Sequence, residues 1–106
     1  MKTAPAILPK NLKILKDLGK HIQLARLRRK LSAEQIAERT GLGRKTIYNI
    51  EQGSPTVAIG SYLQVLFVLD LEKDLTTVAA ADLLGRKLQD AGIITRKRAP
   101  KQTKKL

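Results

Sequence analysis

Between Leu31 and Gly53 the helical pattern stops and restarts within a few residues, and no other feature of the sequence constrains the fold as tightly. Ser32-Ala33-Glu34-Gln35 has the form of a capping box, in which Ser32 caps a new helix and Gln35 reaches back to the Ser32 amide. The helix it opens turns Ile36 and Ala37 inward and stops at Thr40-Gly41, where glycine tolerates the left-handed conformation of a helix C-cap. After only Leu42 and Gly43, another helix opens at Arg44. It turns Ile47 and Ile50 inward and ends at Gly53, with Pro55 just beyond. Ala37 is small enough for two helices to cross closely there, and Leu42 can fill the space between them.

The flanking segments supply the rest of a helical domain. From Lys10 to Lys30 the only glycine or proline is Gly19, and Leu12, Leu15, Leu18, Ile22 and Ala25 recur at helical spacing. A second apolar line, Leu24, Leu27 and Leu31, lies off that stripe. This helix, about 30 Å long, therefore has a second face that needs a partner, either the chain's own C-terminal segment or another subunit. A fourth helix is expected at about Ile59 to Leu69, with Leu63, Leu66 and Phe67 or Val68 as core candidates. A polar break follows from Asp70 to Asp74, then one or two short helices across Ala79–Ala91 carrying Leu83, Leu84 and Leu88. Aromatic residues make up only 3% of the chain, so the core is built from Leu, Ile, Val and Ala. Such a core suits packed helices better than strands, which favour aromatic and β-branched residues.

The expected fold is all-α, a compact domain of four to five helices with flexible basic termini. Residues 1–9 read as a flexible arm and 10–70 as the helix-turn-helix domain. Residues 71–94 read as a helical extension for dimer or partner contact, and 95–106 as a disordered basic tail.

Charge is distributed unevenly. The net charge is +12. Residues 1–31 carry nine Lys/Arg against Asp17 alone, and residues 95–106 carry six with no acid. The stretch between is close to neutral. Basic ends of this kind attract a polyanion without regard to its sequence; a merely solvated surface is the alternative reading.

Two short helices joined by a glycine-containing turn form the arrangement that places a second, reading helix in the major groove of DNA. With Ile47 and Ile50 inward, Arg44, Lys45, Tyr48 and Asn49 are left on the outer face. Arg and Lys suit guanine O6 and N7, Asn suits adenine N6 and N7, and Tyr suits packing or a phosphate. By spacing alone, an ordinary αα-hairpin with a polar outer face remains open.

The stretch LSAEQIAERTGLGRKTIYNIEQG, Leu31 to Gly53, resembles the Cro/phage-repressor-type (XRE) helix-turn-helix family, and the wider stretch from about Leu18 to Leu69 resembles its lambda-repressor-like domain. The resemblance implies base contacts from Arg44, Lys45, Tyr48 and Asn49 and phosphate contacts near Ser32, Thr46, Ser54 and Thr56. It also implies a structural ion pair between Arg26 and Glu51. Two positions depart from the family: Ala33 stands where a glutamine often braces the operator backbone, and Gly43 replaces the usual Ser/Thr cap. More narrowly, LGKHIQLARLRRKLS (Leu18 to Ser32) and LLGRKLQDAG (Leu83 to Gly92) resemble HipB-like antitoxins. That implies a dimeric repressor on a palindromic double-stranded operator, with a HipA-like kinase toxin as partner. Leu24, Leu27, Leu83, Leu84 and Leu88 would form the dimer or partner face. A module that chiefly neutralises a partner, or a phage-type repressor without a toxin, stays open.

Enzymatic readings find little to stand on. There is no cysteine and His21 is the only histidine, so a zinc site is not expected. No glycine-rich phosphate loop is present, and no cofactor is expected. A small basic ribonuclease acting through Lys, Arg and Tyr is the enzymatic alternative. No apolar run approaches the ~20 residues of a membrane span, and the expected location is the cytoplasm, at the nucleoid.

Overall fold

The computed structural model describes residues 6–92. These fall into two compact units, one ending at Thr76 and the other beginning at Thr77. The basic tail expected at 95–106 and the first five residues of the arm lie outside the described residues. Among the described residues there is no strand, and no helix is long and apolar enough to cross a membrane.

The first unit holds four α-helices: α1 Pro9–Arg28, α2 Ala33–Thr40, α3 Arg44–Glu51 and α4 Ile59–Val68. A 3-10 helix, Glu72–Thr77, follows them. Pro9 stands in the first turn of α1, where its missing N–H costs no hydrogen bond. The capping box forms as the sequence expects: the Gln35 amide donates to Ser32 Oγ (3.0 Å) and the Ser32 amide to Gln35 Oε1 (2.8 Å). Gly41 takes the left-handed conformation at φ 77° and closes α2. Thr40 clamps the turn from inside. Its hydroxyl donates to Ile36 O (2.8 Å) and accepts from the Leu42 amide (3.2 Å).

The core draws from all four helices: Ile22 and Ala25 from α1, Ile36 and Ala37 from α2, Ile47 and Ile50 from α3, and Tyr62, Val65 and Leu66 from α4, with Leu69 beyond it. Each fully buried Ile or Leu contributes roughly 1.5–3 kcal/mol. Of the core candidates expected on α4, Leu66 is buried and Val68 packs against the core, while the other two are not inward. Tyr62, Val65, Leu66 and Leu69 are spaced i, i+3, i+4 and i+7 and point inward, whereas Leu63 and Phe67 are exposed. An almost wholly apolar helix carries more than one plausible stripe, and packing against α2 selects among them. Leu12 in the first part of α1 is likewise exposed. The stretch read as a polar break, Asp70 to Asp74, is partly helical, and Leu71 within it and Leu75 just beyond it pack against the core.

Where α1 crosses the end of α3, the two backbones nearly touch. A Cβ on Gly19 would lie 2.6 Å from both Ile50 O and Glu51 O and 2.7 Å from the Gly53 amide. Gly53 has φ +73°, and a side chain there would run into the Leu15 carbonyl. The ion pair between Arg26 and Glu51 locks the same crossing. Arg26 Nε donates to Glu51 Oε2 (2.6 Å) and Arg26 Nη2 to Glu51 Oε1 (3.0 Å), while Nη1 donates to Leu31 O (2.9 Å).

The second unit contains α5, Leu83–Asp90, capped by Asp82, whose carboxylate accepts from the Gly85 amide (3.0 Å). It is shorter than the helical stretch expected across Ala79–Ala91, and Ala79 itself has φ 64°. None of its residues is buried.

Two glycine substitutions should move stability in opposite directions. Gly19→Ala forces backbone against backbone and should cost about 1–3 kcal/mol, as overpacking does. At Gly43 the φ is −72° and nothing lies within 4 Å of a built Cβ, so Gly43→Ser should gain a few tenths of a kcal/mol from a new cap. Thermal unfolding of both variants checks the pair; a Gly19→Ala protein melting at the wild-type temperature would refute the close crossing.

Candidate nucleic-acid interface

The outer face of α3 follows from what the helix buries. At 3.6 residues per turn, Arg44, Tyr48, Lys45 and Asn49 fall within about 140° of the circumference, opposite Ile47 and Ile50, which are both fully buried. Arg44, Lys45 and Tyr48 are exposed, and Asn49 is half-buried at the edge of the face. Among the described residues neither Arg44 nor Lys45 enters a salt bridge, so both charges are available to an anion. Gly43 caps α3 without a side chain. At the turn, Glu34 and Glu38 line an open groove with Arg44, so charge there is mixed.

The residues expected on phosphates lie at the start of α2, on α3 and in the loop after it. Ser32, at the start of α2, accepts the Gln35 amide and still has its O–H to donate. Thr46 is half-buried on α3. Past the end of α3, Ser54 Oγ and Thr56 Oγ1 lie 3.0 Å apart, and the Thr56 amide donates to Ser54 Oγ (3.3 Å). One of the two O–H groups serves the other oxygen, and one is left to donate outward.

Two anchors hold this loop to the helices. The Ser54 amide donates to Asn49 O (2.9 Å), and the Tyr62 hydroxyl donates to Ser54 O (2.7 Å). Burial raises the Tyr62 pKa above its ordinary value, so the donor keeps its proton. Sequence reading missed Tyr62 in this role; the available signal was a tyrosine inside an apolar helix, since a buried phenol needs a partner. Thr40 escaped notice in the same way.

Arg26 and Glu51 are joined, with side-chain exposures of only 12% and 7%. The hydrogen bond to Glu51 raises the Arg26 pKa, against the lowering effect of burial, and the carboxylate's charge adds to it. Neither group is free to meet DNA; together they set where α3 lies. Ala33, the other departure from the family, packs against the core. Leu24 and Leu27 are exposed on α1, and Leu83, Leu84 and Leu88 are exposed on α5.

Residues 17–78 match the model of a family described as a helix-turn-helix domain. The chain is also 33% identical over 66 residues to the uncharacterized HTH-type transcriptional regulator y4mF of Sinorhizobium fredii, an overlap covering 62% of this chain and 87% of that protein. The turn at Gly41, the buried Ile47 and Ile50 and the exposed outer face of α3 lie inside the matched stretch. This chain belongs to the helix-turn-helix domain family.

Proposed function

We propose that the protein is a DNA-binding transcriptional regulator that inserts α3 in the major groove and acts as a repressor. What carries this reading is one observation: Arg44, Lys45, Tyr48 and Asn49 share the outer face of α3, and neither cation is paired among the described residues. Arg, Lys and Asn are residue types that pair with base edges, and Tyr48 beside them suits packing or a phosphate. Ser32, Thr46, Ser54 and Thr56 hold the flanking phosphates, and the basic ends add attraction that is independent of sequence. The relative's description as a transcriptional regulator supports the same reading.

The protein acts as a homodimer on a palindromic operator, because a single eight-residue reading helix covers only one half-site. Its narrower role is that of an antitoxin neutralising a HipA-like kinase toxin, on the resemblance carried by residues 18–32 and 83–92. The face on α5 serves the subunit contact. Leu83 and Leu84 are 73% and 69% exposed and Leu88 48%, and an eight-residue amphipathic helix that buries nothing is marginal alone.

Asn49→Ala tests the base reading. On an operator selected from random duplexes it should lose about 1–3 kcal/mol at one base-pair position and relax specificity there. A variant that keeps the wild-type ratio of operator to random DNA binding would remove Asn49 from the reading face.

Leu84→Asp combined with Leu88→Asp tests the dimer face by sedimentation. The expected product is a monomer whose first unit keeps its helical signal but which no longer binds the operator. A double variant that stays dimeric and bound to DNA, yet fails to capture a co-expressed kinase toxin, would assign the face to the partner instead.

A further inference from the structure

Beyond the C-terminal end of α3 lies an open groove of about 410 Å³, and of the residues lining it only Ser54 is among the expected DNA contacts. Its walls are the first half of α1, with Pro9, Leu12, Lys13 and Lys16, and the loop closing α3, with Gln52, Gly53, Ser54 and Pro55. The close approach of Gly53 to Leu15 brings these walls together. Two lysines on one wall therefore stand across from Gln52 and Ser54 on the other, and no acidic residue is among those lining the groove. Lys16 is exposed and enters no salt bridge among the described residues. Lys13 is bound only to Asp17, at 2.9 Å, and those side chains are 71% and 52% exposed. Exposed pairs of this kind are weak and yield readily to a stronger anion.

We propose that this groove is a seat for the DNA backbone, in which Lys13 and Lys16 hold a phosphate beside Ser54. The proposal rests on the DNA-binding reading given above and adds to it a contact from α1, outside the two-helix motif. An eight-residue helix is about 12 Å long, close to the width of the B-DNA major groove. A group at the end of an inserted α3 therefore meets the phosphates bordering the groove. Lysine suits this site as a flexible point charge without base preference, so the contact strengthens binding to every sequence alike and leaves the reading to α3.

The test compares two full-length variants of equal charge on a short random-sequence duplex and on the selected operator, across a salt series. Lys13→Gln with Lys16→Gln removes the groove charges; Arg39→Gln with Lys73→Gln removes two exposed charges elsewhere. The groove variant should bind both DNAs more weakly by the same factor. Its log affinity against log salt should flatten by about 0.9 for each phosphate it no longer neutralises, while the control keeps the wild-type slope. An unchanged slope in the groove variant, or an equal fall in the control, overturns the proposal while leaving the DNA-binding reading intact. A wild-type chain that binds neither DNA overturns both.

Discussion

Arg26 spans three parts of the chain with one guanidinium. Two of its nitrogens hold Glu51 at the last residue of α3, the third holds the Leu31 carbonyl ahead of α2, and its own backbone sits in α1. Glu51 by itself would be poorly placed, since a carboxylate at a helix C-terminus meets the negative end of the helix dipole. The guanidinium offsets both the carboxylate and the terminal carbonyls. Taking such a pair out of water is costly, and apolar residues of similar volume can be as stable. Its value here is directional: a planar fork fixes angle as well as distance, and α3 is held at the angle at which its outer face is presented. The glycine crossing at Gly19 and Gly53 makes this possible by letting the backbones approach until the two side chains meet.

Core packing and the proposed recognition fall on opposite faces of the same short helix. Ile47 and Ile50 are wholly buried, while Arg44, Lys45 and Tyr48 make no contribution to the core. The loop at the end of α3 belongs to both tasks. Tyr62 ties its Ser54 carbonyl to α4, and the paired Ser54 and Thr56 hydroxyls, with one O–H between them left to donate, stand on an anchored backbone. A rigid loop of this kind can hold a phosphate without the entropy cost of ordering itself on binding.

The parts of the fold legible in the sequence are those set by local chemistry. The capping box at Ser32, the left-handed glycine at Gly41 and the inward pair Ile47 and Ile50 each follow from a few neighbouring residues. The outer face of α3 was legible for the same reason, since fixing the buried pair fixes what is left. Choices made by tertiary packing were not. In α4 nearly every position is apolar, so Leu63 and Phe67 looked as suitable for the core as Tyr62 and Val65. Gly19 interrupts a helical run without a local reason, and its role emerges only against the end of α3. The groove beside Lys13 and Lys16 depends on the same crossing, so the lysines read in sequence as general positive charge.

A double-mutant cycle on Arg26 and Glu51 probes the dependence of α3 on α1 most directly. Unfolding free energies would be measured for Arg26→Met, Glu51→Leu and the two together. If the fork carries the crossing, each single variant strands a buried charge and loses about 3–5 kcal/mol. The double variant, with no charge left to strand, should then be more stable than either single one. Single losses below about 1 kcal/mol that add in the double variant, as independent surface sites do, would show that α3 is held by its apolar contacts and that the ion pair is incidental.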